Sequence, residues 1–179
     1  MVGAVLTQNT AWTNVERALA SLGRRAPITP ARLLALDEDE LALAIRSSGY
    51  YRAKAKKLRA VSDWYLDCGG LRALRERRLE EVRGELLGVW GVGPETADSI
   101  LCYAAGRRTA IVDTYTRRVL SRHALVDFDL PYEELREWLR ERLVASQLVY
   151  EEFHALCVRT GYGNCKPKAV CGTCPATTP

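Results

Sequence analysis

Apolar residues recur at intervals of three and four along nearly the whole chain, and this spacing is the period of an amphipathic α-helix. No series of alternating apolar and polar residues, which would indicate strands, accompanies them. We therefore predict an all-α fold. Cap and turn residues delimit the predicted helices, which span 2–8, 13–22, 31–36, 38–45, 50–66, 79–87, 94–105, 114–124, 131–143 and 146–160.

The length of 179 residues, with 47% hydrophobic content, suits one domain or two small helical lobes that share a cleft. The net charge of +4 permits nucleic-acid binding without requiring it. No apolar stretch is long enough to span a membrane, and residues 1–6 lack the basic flank of a signal peptide. These first residues are typical of a buried helix, so we expect a further segment of the fold upstream and a cytoplasmic protein.

Four of the six cysteines crowd the C-terminal part of the chain: Cys157, Cys165, Cys171 and Cys174. The tail 161–179 holds three prolines and almost no apolar residues, so it cannot form a core by itself. A secreted disulfide protein would spread its cysteines through the chain. A terminal cluster without a signal peptide instead favours a metal or iron–sulfur site in a reducing cytosol.

The most informative segment is 86–97, in which three glycines separate two predicted helices. Glycine allows a positive φ and a close backbone approach. The N–H groups at the start of the following helix can bind a phosphate without any side chain. Val89 and Val92 are expected to anchor the turn in the core. Because a glycine-rich turn between helices is common, a purely structural turn is the alternative.

Asp113 follows the apolar residues 110–112 and precedes a predicted helix start. The position is that of an N-cap, which aspartate prefers, and a capping residue can also be a catalytic base. We expect partial desolvation beside its apolar neighbours to raise the pKa of this carboxyl, so that it could activate water or stabilise a sugar cation. On the helix that follows, Arg117 and Arg118 are predicted to contact phosphate groups.

Taken together, these segments resemble the endonuclease III superfamily, the helix-hairpin-helix glycosylases with a Gly/Pro-rich loop and an invariant aspartate. The resemblance covers essentially the whole chain. Its motifs follow in the family's order: VLTQNT at 5–10, SGYYRAKA at 48–55, the hairpin at 86–97, VDT at 112–114, HAL at 154–156 and the cysteine loop at 165–174. The resemblance implies a monomeric DNA base-excision glycosylase that acts on double-stranded DNA containing a damaged base, with Asp113 as the catalytic carboxylate.

The resemblance also implies a division into lobes and a set of DNA contacts. Residues 24–124 would form a six-helix lobe that carries the hairpin, 1–23 and 125–160 a second helical lobe, and 161–179 the cysteine loop. The enzyme would flip the damaged nucleotide out of the duplex, with Gln8 filling the vacated gap. The remaining implied DNA contacts belong to the hairpin and to the later helix: Leu87, Gly88, Val89, Gly91, Gly93, Arg117 and Arg118.

One departure from the family refines this prediction. Members that also cleave the DNA strand carry a lysine directly after the hairpin, where this chain has Glu95. A glutamate cannot form the Schiff base that leads to cleavage. Segments 93–103 and 6–10 are similar to the 3-methyladenine DNA glycosylase branch, which implies a monofunctional hydrolase of alkylated purines. In that branch Trp12 would stack on the flipped base, with packing in the core as the alternative.

The family's cysteine loop holds a [4Fe–4S] cluster with four thiolates. This chain has Cys165, Cys171 and Cys174 in the corresponding loop, and the fourth family cysteine would fall past the last residue. Cys157 is the candidate for the fourth ligand, with a buried thiol as its alternative. The resemblance therefore implies a cluster that orders the basic tail against DNA phosphate, and a zinc-like site or an empty loop are the alternatives.

Three other functions are consistent with the sequence. A glycosylase and AP lyase acting on oxidised pyrimidines is the nearest, and Glu95 argues against it. A catalytically impaired DNA-binding homologue would keep the fold without its base pocket, and the expected upstream segment favours that alternative. A metal-binding regulator would use only the tail. Formation of abasic sites, with strand breaks before alkali or only after it, separates these functions.

Overall fold

The computed structural model describes residues 1–143 and 146–177. Within these residues it contains helices and no strands, which confirms the predicted all-α class. None of the described helices combines the length and the apolar character that crossing a membrane requires. The α-helices are α1 Val2–Leu6, α2 Trp12–Arg25, α3 Pro30–Ala35, α4 Glu38–Ala44, α5 Tyr51–Asp67, α6 Gly70–Glu76, α7 Leu79–Gly88, α8 Pro94–Ser99, α9 Thr114–Arg122, α10 Tyr132–Arg142 and α11 Gln147–Gly163.

Shorter helical segments complete the described chain. A π-helical segment, Ile100–Ala104, directly continues α8, and the last residues of the predicted helix 94–105 therefore depart from α geometry. Segments of this kind are rare and occur frequently at functional sites. Single 3-10 turns lie at Arg46–Ser48, Cys171–Thr173 and Pro175–Thr177.

Side-chain caps fix several of the helix starts that the sequence predicts. The Thr29 hydroxyl accepts a hydrogen bond at the start of α3, and Pro30 occupies the first helical position. The Asp37 carboxylate accepts the N–H of Asp39 at 2.8 Å and so caps α4. Each cap satisfies a backbone donor that has no partner inside its own helix, and it thereby defines where the helix begins.

Two local features differ from the sequence prediction. Helix α5 begins at Tyr51, because Tyr50 takes a left-handed conformation with a φ of 45°. Helix α6, which the apolar pattern does not predict, begins directly at a glycine turn after α5. Gly69 and Gly70 both have positive φ and reverse the chain, after which strong helix formers occupy the next six positions.

Residue contacts divide the chain into two units, Met1–Ala105 and Gly106–Pro179. In the first unit, α1 packs against α5 and α8, and α2 packs against α4. Val5 and Leu6 of α1 are completely enclosed by the core of this unit. The predicted division into lobes, which groups residues 1–23 with 125–160, stays a prediction. Other members of this core are Val15, Leu22, Leu41, Leu58, Leu86 and Leu101.

In the second unit, α9 packs closely against α11. A Cβ at Gly161 of α11 would lie 2.5 Å from Cδ1 of Tyr115 on α9, so only glycine allows the helices to approach this closely at that point. Leu120 is buried on α9, and Leu135 and Leu139 are buried on α10. This packing brings the start of α9, which carries Asp113 as its cap, beside the middle of α11.

Candidate functional site

The predicted hairpin lies between α7 and α8 in the first unit. Gly91 has a φ of 81°, and a Cβ there would lie 2.5 Å from Cγ of Lys57, so glycine is required by conformation and by space. At Gly88 and Gly93 a Cβ would meet no atom within 4 Å, so both positions face open space. Val92 is buried and anchors the turn, as expected. These open glycines, Gly88 at the end of α7 and Gly93 just before α8, are suited to a close approach by a phosphate.

A buried ion pair joins the two helices of the hairpin. Arg83 of α7 donates to the Asp98 carboxylate of α8 from Nε at 3.0 and 3.2 Å and from Nη2 at 3.0 Å. The two side chains are 7% and 0% exposed. Sequence analysis missed this pair, because partners 15 residues apart across a turn leave no periodic signal.

Gln8 occupies a different place from the one predicted for it. Its Nε2 donates to the carbonyl of Gly91 at 3.0 Å and to the Thr96 hydroxyl at 2.9 Å, and its Oε1 accepts from Lys57 Nζ at 2.5 Å. Filling a gap in a duplex would require the side chain to give up all three bonds. The geometry therefore does not support Gln8 as the gap-filling residue, and it places Gln8 as a brace between the N-terminal turn and the hairpin.

Lys54 is a second brace that sequence analysis missed. Its buried ammonium group donates to the carbonyl of Leu6 at 2.8 Å, to the Thr10 hydroxyl at 2.7 Å and to the carbonyl of Ser48 at 2.7 Å. Burial, with a smaller contribution from the charge of Lys57, lowers the pKa of Lys54 to about 8. The sequence feature that could have indicated its burial is its position on the apolar face of α5, four residues before the buried Leu58.

Four large aromatic side chains of the first unit are exposed, those of Trp12, Tyr50, Trp90 and Tyr103. Trp12 is 55% exposed at the start of α2, where its Nε1 donates to Glu16 at 3.1 Å and its ring lies against Gly3. The alternative that Trp12 packs in the core is therefore wrong. Tyr50 is 77% exposed and left-handed, an arrangement that few non-glycine residues adopt. Sequence analysis quoted Tyr50 only as part of a motif.

Glu95 is exposed in the first turn of α8, directly after the hairpin. The resemblance to the endonuclease III superfamily implies a lysine at this position in strand-cleaving members. Here the side chain is a carboxylate, and it is exposed to solvent.

Asp113 caps α9 in the second unit. Its Oδ1 accepts the N–H of Thr116 at 2.7 Å, and its Oδ2 lies 3.6 Å from Nε2 of His154. The Asp113 and His154 side chains are 12% and 15% exposed. Burial alone would raise the pKa of the Asp113 carboxyl, but His154 and the Thr116 N–H outweigh it and hold the pKa below its usual value. The expectation of a raised pKa is wrong, because it considered only the apolar neighbours.

Cys157 lies on the same face of α11 as His154, one turn later. The thiol is buried, and burial, together with the negative charge of Asp113, raises its pKa to about 12. The burial of Cys157 agrees with the alternative of a buried thiol. Its role as the fourth cluster ligand stays a prediction.

Arg117 and Arg118 hold the second unit together. Arg117 donates to two carbonyls of the loop 123–131, those of Phe128 and Leu130. Arg118 donates to the carbonyls of Gly161 and Cys165 on the C-terminal side of α11. These intramolecular bonds compete with phosphate, so the structure does not support the predicted DNA contacts of the two arginines.

A cluster in the C-terminal loop would need several metal-ligating side chains close together. No group of three or more Cys, His, Asp or Glu side chains in the described residues is arranged to hold a metal ion. Cys165 is buried, with its Sγ 3.4 Å from Nη1 of Arg122. A [4Fe–4S] cluster needs four thiolates, and Cys157, Cys165, Cys171 and Cys174 do not assemble such a set in this structure. These four cysteines therefore do not fit the cluster.

Hydrogen bonds order the tail instead. Arg122 donates to the carbonyls of Lys166 and Pro167, and Asn164 Nδ2 donates to the hydroxyl of Thr173 at 3.1 Å. The N–H of Val170 in turn donates to the carbonyl of Asn164 at 2.9 Å. A segment without its own apolar core is thereby attached to α9 and to the end of α11.

Comparison with known sequences extends over most of the chain. The family described as the HhH-GPD superfamily of base excision DNA repair proteins matches residues 2–144. A Methanocaldococcus jannaschii protein, provisionally named as a DNA repair glycosylase, is 40% identical over 178 residues, which are 98% of this chain and 81% of that protein. Endonuclease III of Sulfolobus acidocaldarius is 27% identical over 176 residues, covering 97% and 77% of the two chains.

Solved structures show the same relationship. The 3-methyladenine DNA glycosylase of H. pylori bound to 1,N6-ethenoadenine superposes with a TM-score of 0.76 at 27% identity, covering 90% of this chain and 82% of that one. An endonuclease III in a non-covalent complex with DNA superposes with a TM-score of 0.78 at 25% identity, covering 97% and 78%. The predicted superfamily is thus confirmed: the chain belongs to the HhH-GPD base excision repair family and is a DNA glycosylase.

Proposed function

We propose that this DNA glycosylase is monofunctional and hydrolyses the N-glycosidic bond of alkylated purines in double-stranded DNA, with Asp113 as its catalytic carboxylate. The observation that carries the proposal is the environment of Asp113, whose two oxygens face the Thr116 N–H and His154 and whose pKa is lowered. A carboxylate kept ionised in a mostly buried site can stabilise a sugar cation or orient an attacking water, and it is a poor general acid.

An ionised carboxylate suits a substrate whose leaving base needs no proton. An N-alkylated purine such as 3-methyladenine already carries positive charge in DNA, so its glycosidic bond can break without protonation by the enzyme. An enzyme with such a carboxylate is therefore expected to prefer alkylated purines to oxidised pyrimidines, whose bases are poorer leaving groups. Trp12 supports the same choice, because an exposed indole can stack on an electron-poor, cationic base.

The residue that follows the hairpin supports hydrolysis without strand cleavage. Glu95 stands where a strand-cleaving enzyme of this family has its lysine. Lys54 has a lowered pKa, as a Schiff-base lysine would, but its ammonium group is buried and bound to three oxygens. Lys57 Nζ is bound to Gln8 and its stem is packed on Gly91. Both amines are therefore engaged by groups of the protein.

DNA is proposed to bind through backbone groups at the hairpin. Gly88 and Gly93 face open space on either side of the turn, where a phosphate can approach the backbone closely. Such contacts position the duplex without reading its sequence. Because Gln8 is bound internally, Tyr50 is the better candidate to fill the gap left by a flipped nucleotide, since it is a large, exposed aromatic group in a fixed turn.

The deciding experiment incubates the enzyme with a duplex whose purines have been N-methylated chemically and, separately, with a duplex that carries one oxidised pyrimidine. Abasic sites at the purines that become strand breaks only after alkali support the proposal. Breaks at the pyrimidine without alkali indicate the glycosylase and AP lyase alternative. Binding without abasic sites on any duplex indicates the catalytically impaired homologue.

A further inference from the structure

We propose that His154 is a positioning residue for the catalytic carboxylate, fixing Oδ2 of Asp113 and keeping it ionised as the pH falls. The inference rests on the proposed role of Asp113. It begins from geometry, since Nε2 of His154 lies 3.6 Å from Oδ2, within ion-pair distance when the imidazole is protonated. The other oxygen, Oδ1, is already held by the Thr116 N–H at 2.7 Å. With both oxygens held, the carboxylate has one orientation.

The position of His154 is built into the packing of two helices. Gly161, seven residues after His154 on α11, contacts Tyr115 so closely that no Cβ fits between them. Arg118 of α9 donates to the carbonyl of Gly161 at 3.0 Å. These contacts fix α11 against α9, and thus fix the imidazole against the cap of α9. The close approach of α9 and α11 therefore positions His154 beside Asp113, in addition to packing the core of this unit.

Among the described groups that face Asp113, His154 is the one that can carry the opposite charge. From its own helix, Asp113 meets the Thr116 N–H. From α11 it meets His154 and the thiol of Cys157, whose pKa of about 12 leaves it uncharged at neutral pH. From α10, the Tyr132 hydroxyl lies 3.5 Å from the backbone nitrogen of Val112, the residue just before Asp113. Of these groups, the imidazole is the one that forms an ion pair with the carboxylate when it is protonated.

Removing the imidazole should shift the acid side of the activity profile. Burial disfavours the carboxylate, so without His154 Asp113 becomes protonated at a higher pH. The test measures single-turnover base release from one alkylated duplex between about pH 5 and 8 for wild type, His154→Gln and His154→Phe. His123→Gln is the matched control, because His123 is exposed at the end of α9. Using one substrate throughout cancels the titration of the base itself.

The expected result is that the ratio of rates at low and high pH falls by about five- to tenfold in both His154 variants and stays at the wild-type value in His123→Gln. A merely structural histidine would lower the rate equally at every pH, and that outcome, or no change at all, overturns the inference. If His154→Phe does not fold, a ¹³C titration of the Asp113 carboxyl in wild type and His154→Gln gives the same comparison directly.

The failure of this inference is distinguishable from failure of the proposed function. Asp113→Asn with full turnover refutes the catalytic role on which the inference depends. An inactive Asp113→Asn together with an unshifted pH profile in His154→Gln leaves the catalytic role intact and removes only the role of His154.

Discussion

The ion pair between Arg83 and Asp98 offers a quantitative test of how the hairpin is held. Replacing Asp98 by asparagine keeps the shape of the side chain but removes its charge. The guanidinium of Arg83 then stays buried with three N–H···O contacts disturbed, because one carboxylate oxygen has become an NH₂ group that opposes the donors. Removing one partner of a buried pair typically costs about 3–5 kcal/mol, since the remaining charge loses both water and its counter-ion.

We therefore expect Asp98→Asn to lower the free energy of unfolding by about 3–5 kcal/mol, which for a chain of this size lowers Tm by roughly 6–20 °C. Urea denaturation followed by circular dichroism measures the change. The matched control is Glu76→Gln, which breaks the exposed pair of Glu76 with Arg72 at 2.9 Å and should cost less than about 1 kcal/mol.

A double variant completes the test. In Arg83→Met/Asp98→Leu both charges are absent, and most of the lost stability should return, because apolar side chains can replace a buried ion pair at little cost. The reasoning is refuted if Asp98→Asn costs no more than Glu76→Gln. It is also refuted if the double variant is less stable than Asp98→Asn alone.

Three further predictions concern the hairpin and its braces. Gly91→Ala should lower the free energy of unfolding by about 1–3 kcal/mol, because its Cβ would clash with Lys57. Gly93→Ala should leave urea denaturation unchanged and weaken binding to all duplexes alike, and a loss that depends on the DNA sequence would contradict this. Folding lowers the pKa of Lys54 to about 8, so the unfolded chain keeps this proton up to a higher pH than the folded chain does. The free energy of unfolding of wild type, relative to that of Lys54→Met, should therefore rise as the pH increases from about 8 to 10. A flat or falling difference in urea denaturation would show that Lys54 is not desolvated. Glu95→Lys should form a covalent adduct with abasic DNA that borohydride traps, and the lack of any adduct would show that this position does not face the sugar.

Periodicity and cap chemistry predicted much of the fold. The helices that were expected are present, with ends shifted by a few residues, because their apolar faces and caps act locally. Asp113 was identified as a cap for the same reason, and its Oδ1 does accept the Thr116 N–H. Helix α6 was not predicted, since the two glycines that precede it conceal a short segment with strong helix propensity.

Long-range polar contacts lay beyond the sequence. The contacts of Gln8 and two of the three contacts of Lys54 join residues more than 40 positions apart, and no local pattern encodes such partners. The pKa of Asp113 was misjudged because its opposing group, His154, lies 41 positions later on another helix. Cysteine spacing suggested a cluster, but spacing does not show that Cys157 points toward Asp113 rather than toward the tail.

The most direct test of the central claim is single-turnover release of an alkylated base from duplex DNA by wild type and Asp113→Asn, with the DNA strand analysed before and after alkali. The account predicts base release and alkali-dependent breaks by wild type, and a loss of several orders of magnitude in Asp113→Asn while affinity for the duplex is kept. Undiminished release by Asp113→Asn, or strand breaks by wild type without alkali, would contradict it.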